Sequence, residues 1–194
     1  MAIAAAMVGI AAMAAGLLWQ YDDGAAPGAN AVAADAGPSA RAELVRHLER
    51  SPRDGRSWVL LARMDFDVDR FADAATAYER AFAVDAKVAR DPAVWCEYAD
   101  ALGMTQGGSL AGKPRELVMR ALAQSPEHPK ALEMAGSAAF EAGEFASAVA
   151  WWRQLLGQLD AGSREHRELA AAIARAEEMV PATAAHAGIA AVTK

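Results

Sequence analysis

Between Gly55 and Ala86 the apolar and small residues recur at helical spacing in two runs. The first holds Trp58, Leu61 and Ala62, the second Phe71, Ala74, Tyr78 and Ala81. Residues three and four apart share one face of a helix, so each run predicts an amphipathic helix. Small side chains at Ala62, Ala74 and Ala81 let two antiparallel helices approach closely. Trp58 and Tyr78 supply the bulk that fills the space between them. One such hairpin cannot bury its apolar face alone, so further copies should stack beside it.

The copies are legible. A second unit begins at Trp95, Tyr98, Ala99 and Leu102, and Trp95 follows Trp58 by 37 positions, as Ala99 follows Ala62. Its second helix is expected over about 115–124, with Val118 and Ala121 inward and Ser125-Pro126 closing the unit. A third carries Leu132, Ala135 and Gly136, then Phe145, Ala148, Trp152 and Leu155, and Gly136 again lies 37 positions beyond Ala99. With no Cβ, Gly136 predicts the closest helix contact in the stack. An aromatic, Leu and a small residue, then Ala, an aromatic and Ala with a closing Pro, is the tetratricopeptide pattern. Its unit is about 34 residues. The excess falls in 86–92, and the turn at 106–114 is about three residues longer than usual. Leu44, Leu48 and Pro52 read as the second half of a repeat whose first helix is missing, with Ser39 its expected N-cap. Ser163 should cap a last helix over about 164–179, with Leu169, Ile173 and Ala176 on one face. The expected fold is all-α: a tetratricopeptide-repeat superhelix of about three helix hairpins plus capping helices over residues 41–180, with an N-terminal transmembrane helix.

That transmembrane expectation rests on residues 1–21, which carry no charge before Asp22 and Asp23 and end in Trp19 and Tyr21. Roughly 20 apolar residues span a bilayer core, and aromatics favour its interface. An uncleaved anchor is the favoured reading. A cleaved signal peptide competes, with Ala29-Asn30-Ala31 as its processing site. Residues 22–40, rich in Ala, Gly and Pro and aperiodic, read as a flexible linker. Residues 181–194 read as a disordered tail.

Composition narrows the chemistry. A net charge of −6 and a pI near 5.2 argue against a general nucleic-acid role. The single cysteine, Cys96, leaves no partner for an internal disulfide. His47, His128, His166 and His186 fall at no ligand spacing, and Gly107-Gly108 lacks the Lys-Ser/Thr of a phosphate loop. No metal, cofactor or enzymatic constellation is expected.

First helices of a tetratricopeptide stack line its concave face, where a peptide or helix docks. In register, the expected groove positions are Arg56, Val59, Arg63, Phe66 and Asp67 from the first repeat. Cys96, Asp100, Gly103 and Met104 come from the second, and Lys130, Glu133, Ser137, Phe140 and Glu141 from the third. Phe66, Met104 and Phe140 would meet the apolar stripe of a ligand helix. Arg56, Arg63 and Lys130 would meet acidic side chains or a terminal carboxylate. Trp58, Trp95, Tyr78 and Trp152 are expected in the core, and Cys96 is read as a small buried hydrophobe.

The second-repeat hairpin, YADALGMTQGGSLAGKP at 98–114, is followed by Pro126-x-His128-Pro129-Lys130-Ala131-Leu132 and later by Ala148-Val149-Ala150-Trp151-Trp152. Across about 41–178 these residues resemble the periplasmic tetratricopeptide domain of the CcmI/CycH/NrfG proteins of bacterial cytochrome c maturation. The QGGxLxGxP loop joined to HPKAL is the specific part of the match. The resemblance implies a non-enzymatic chaperone, anchored in the bacterial inner membrane with its repeats in the periplasm. It would bind the C-terminal helix of apocytochrome c and present it to the haem lyase components. Longer members have two transmembrane helices and this chain has one candidate span, so it is more similar to the short members. Two other readings compete: a membrane-anchored scaffold for another envelope complex, and haem handling through His128.

Overall fold

The computed structural model describes the backbone of residues 29–180 and the side chains from residue 40 onward. Among the described residues there are eight α-helices and no strand. They are α1 (Ala29–Arg50), α2 (Gly55–Phe66), α3 (Phe71–Val84), α4 (Pro92–Thr105), α5 (Lys113–Gln124), α6 (Pro129–Glu141), α7 (Phe145–Leu156) and α8 (Arg164–Met179). The hairpins α2/α3, α4/α5 and α6/α7 stack in chain order, with α1 against α2 and α8 against α7. The three expected hairpins and both flanking helices are present. The expected anchor (1–21) and tail (181–194) lie outside the described residues. No helix within them is long and apolar enough to cross a membrane.

One boundary needs correction. α1 begins at Ala29 and runs through Ser39, so residues 29–40 are helical where an aperiodic linker was expected, and Ser39 is not an N-cap. Alanine is the strongest helix former even where no apolar periodicity marks it, and this segment is rich in it.

The 37-residue period continues past the third hairpin. Leu169 follows Leu132, and Ile173 follows Gly136, at the same offset; both are buried. α8 is therefore a fourth first-type helix that covers α7. Tryptophan indoles fasten the junctions: Trp58 Nε1 donates to Pro52 O, and Trp95 Nε1 to Ala89 O, each at 3.0 Å. Phe82 stacks on Trp95 at 3.9 Å between centroids and joins the first repeat to the second.

Helix starts follow local chemistry. Asp54 caps α2 through Ser57 N (3.2 Å) and Ser163 caps α8 through His166 N (3.0 Å). α6 is capped by an imidazole: His128 Nδ1 accepts from Ala131 N at 3.3 Å, with Pro129 opening the helix. Only a neutral ring can accept there. Burial holds the His128 pKa below its ordinary value, opposed by the Asp91 charge. For a depressed pKa the stabilising contribution is complete above the unfolded value of about 6.5 and is lost as pH falls through the folded one. His128→Asn, which caps at any pH, is expected to shrink the loss of thermal stability between about pH 7 and pH 5, read from circular dichroism melts.

Candidate functional site

The first helices α2, α4 and α6 present the expected groove positions, and burial divides them into three sets. Arg56, Arg63, Asp67 and Met104 are exposed; Asp100, Lys130 and Ser137 are half-buried. Val59, Cys96 and Glu133 are buried, at 7%, 1% and 7% exposure. Val59, Cys96 and Glu133 stand 37 positions apart and are one structural position repeated, while Gly103, also buried, lies near the end of α4. In the first two repeats that position belongs to the packed interior; in the third, where α4 lies against α6, the Glu133 side chain keeps 9% exposure beside the half-buried Lys130. Val59 and Cys96 thus belong to the core and do not line an open groove. Burial pushes the Cys96 thiol up to about 12, so it holds no thiolate at neutral pH.

The aromatic positions also need correction. Phe66 meets Phe71 edge-on at 5.2 Å, and Phe140 meets Phe145 edge-on at 5.3 Å. Each pair closes its own hairpin across the helix–helix turn, so neither ring is an unclaimed apolar position. The second repeat does this differently. Gly103 and Gly108 occupy the positions equivalent to Phe66 and Phe71. Leu110 of the long turn fills the gap, with its Cδ2 3.3 Å from where a Gly103 Cβ would stand. Glu141 then holds that turn: it accepts from Leu110 N at 2.8 Å and from the Ser109 hydroxyl. Glu141 is therefore a fastener between α6 and the turn, not a free groove carboxylate. Nothing in the spacing of 106–114 revealed this, since the partner lies on the next hairpin.

The remaining charges are partly committed to each other. Arg63 forms a bidentate pair with Glu97 at 3.0 and 2.7 Å, and Tyr78 Oη donates to the same carboxylate at 3.0 Å. This bridge from α2 to α4 involves Glu97 and Tyr78, neither of which the groove register had placed there. Lys130 Nζ lies 3.6 Å from Glu133 Oε2, an ion contact too long for a hydrogen bond. Burial raises the Glu133 pKa against the opposing Lys130 charge, and the nearby Asp100 charge adds to the rise. Arg56 and Met104 remain open to a ligand. Among the described residues no group of three or more His, Cys, Asp or Glu could hold a metal ion. His128 is engaged as the α6 cap.

The face so assembled is polar at its rim and tightly packed beneath.

Comparison with known proteins gives this arrangement a context. The crystal structure of MamA superposes with a TM-score of 0.57 over 84% of this chain and 99% of its own, at 14% identity, a likeness of fold alone. Three curated relatives are cytochrome c-type biogenesis proteins CycH. That of Pseudomonas aeruginosa is 31% identical over 137 residues, which is 71% of this chain and 33% of the relative. Those of Bradyrhizobium diazoefficiens and Rhizobium meliloti are 30% and 32% identical over 61% and 59% of this chain. The chain spans about a third of the length of these relatives. The model of the cytochrome c-type biogenesis protein H TPR domain matches residues 43–166, covering α2 to α7 whole with the turn at 106–114. The chain belongs to the family of the TPR domain of cytochrome c-type biogenesis protein H.

Proposed function

We propose that this chain is an apocytochrome c chaperone whose first-helix face docks the C-terminal helix of the apoprotein and presents it to the haem ligation machinery. Residues 1–21 anchor it in the inner membrane as a single pass, and the repeats lie in the periplasm. It catalyses no reaction itself. The observation that carries the reading is the combination of family membership with a side of the stack where Arg56, Asp100, Met104, Lys130 and Ser137 keep solvent access. A helix laid across α2, α4 and α6 would meet Met104 with its apolar stripe, and Arg56 with an acidic side chain or its terminal carboxylate.

Titration of the full chain with C-terminal peptides of c-type apocytochromes, by calorimetry, tests the reading. Saturable binding lost with scrambled peptides is expected. Equal affinity for native and scrambled sequences, with normal haem staining of c-type cytochromes in a deletion strain, would turn the assignment toward a scaffold for another envelope complex.

A further inference from the structure

Glu133 breaks a rule that the rest of the stack obeys. At the equivalent position the first two repeats place Val59 and Cys96, each buried and neither needing a polar partner. The third places a carboxylate there whose side chain is 9% exposed. Its Oε2 is the one buried side-chain polar atom among the described residues without a hydrogen-bond partner. Local disorder does not explain it, because the Glu133 carbonyl is clamped twice, by Ser137 Oγ at 3.0 Å and Trp152 Nε1 at 3.3 Å. The backbone from which the carboxyl projects is thus fixed. A buried acceptor left unmade costs stability, so an ordinary packing role would have been filled better by an apolar residue.

The surroundings say what would satisfy it. Lys130 lies 3.6 Å away, one turn earlier on α6, and its side chain is 39% exposed. It can swing into solvent without leaving a buried cation behind. Asp100 on α4 places a second negative charge near the same spot. With Arg63 already held by Glu97, Glu133 is left with one loosely placed lysine.

We propose that Glu133 is a receptor for a cationic side chain of the docked segment, and that Lys130 is its resident stand-in. On docking, a ligand lysine or arginine takes the place of the Lys130 ammonium and donates to Oε2 at hydrogen-bond distance. The inference rests on the groove reading above and deepens it: the partner is a helix with a basic residue beside its apolar stripe. A groove meant only for a terminal carboxylate would not hold a buried acid with an unpartnered oxygen in its lining.

The test uses the full chain and a set of synthetic amphipathic helical peptides identical except at one position beside a leucine stripe, which is Lys, norleucine or Glu. The Lys peptide is expected to bind at least about tenfold more tightly than the norleucine one. Glu133→Gln should erase that preference, and Lys130→Met should enlarge it. Glu133→Met should raise the Tm of the unliganded protein by a few degrees, because it removes an unsatisfied buried acceptor. Equal affinities across the set, no binding of any member, or a fall in Tm with Glu133→Met would each overturn the proposal. Binding of the Lys peptide with no binding of apocytochrome peptides would sustain it and remove the apocytochrome reading. Binding of apocytochrome peptides that is indifferent to Glu133→Gln would do the reverse.

Discussion

Asp65→Ala is expected to release α1 from the stack and to cost about 3 kcal/mol, a fall in Tm on the order of 10 °C. Asp65 is 1% exposed, at the position where the second and third repeats have Leu102 and Ala139. Its carboxylate takes a bidentate pair from Arg41 on α1 at 2.7 and 3.0 Å, and Arg70 Nη2 lies 2.8 Å from Oδ1. Removing the acid leaves two guanidinium groups facing a small cavity. Both retain access to water, at 30% and 45% exposure, which places the cost at the lower end of the range for a broken buried pair. Limited proteolysis should then cut within α1 before any other described helix. Exchanging the network for apolar residues, Arg41→Met with Asp65→Leu, should recover most of the loss, since a well-packed apolar pair avoids the desolvation of charge. A double variant no more stable than Asp65→Ala would show that charge, not packing, seats this helix.

Trp152→Ala is expected to cost about 3–5 kcal/mol, the usual range for deleting a large buried aromatic. The indole is 8% exposed, lies 5.7 Å from Phe140 and donates to Glu133 O. It packs directly on Gly136, where an added Cβ would come within 2.7 Å of Trp152 Cε2. Gly136→Ala in the wild-type background must therefore push the ring or the helix aside, costing about 1–3 kcal/mol or more. In the Trp152→Ala background the same change fills part of the cavity and gains about 1 kcal/mol of helix propensity, so its sign should reverse. Chemical denaturation of the four proteins measures the cycle. A Gly136→Ala effect of the same sign in both backgrounds would show that the close approach at this residue does not govern the third hairpin.

The expectations about Gly136, the cores of the hairpins and the closing helix at Ser163 were legible because each depends on residues within one or two turns of one another. Small residues at 62, 99 and 136 announce where helices touch, whatever else the chain does. The groove was less legible. Counting in register located the right helices, but it treated as open one repeated position that is buried in all three repeats. Phe66 and Phe140 were misread for a related reason, since a ring at the end of a helix can reach across its own turn. The linker was misread because an alanine-rich helix carries no amphipathic stripe.

From its residues alone, this protein's fold class, repeat period, hairpin register and family likeness could be derived, because helical periodicity and the size of facing side chains are local properties. Only the tertiary structure decided which groove residues stay open, that Leu110 and Glu141 replace an aromatic pair, that Arg41 seats α1 on Asp65, and that Glu133 is buried without a hydrogen bond. Each of those depends on how separate helices and turns pack together. Such pairings depend on how one hairpin leans on the next, a quantity that no spacing within a single helix encodes.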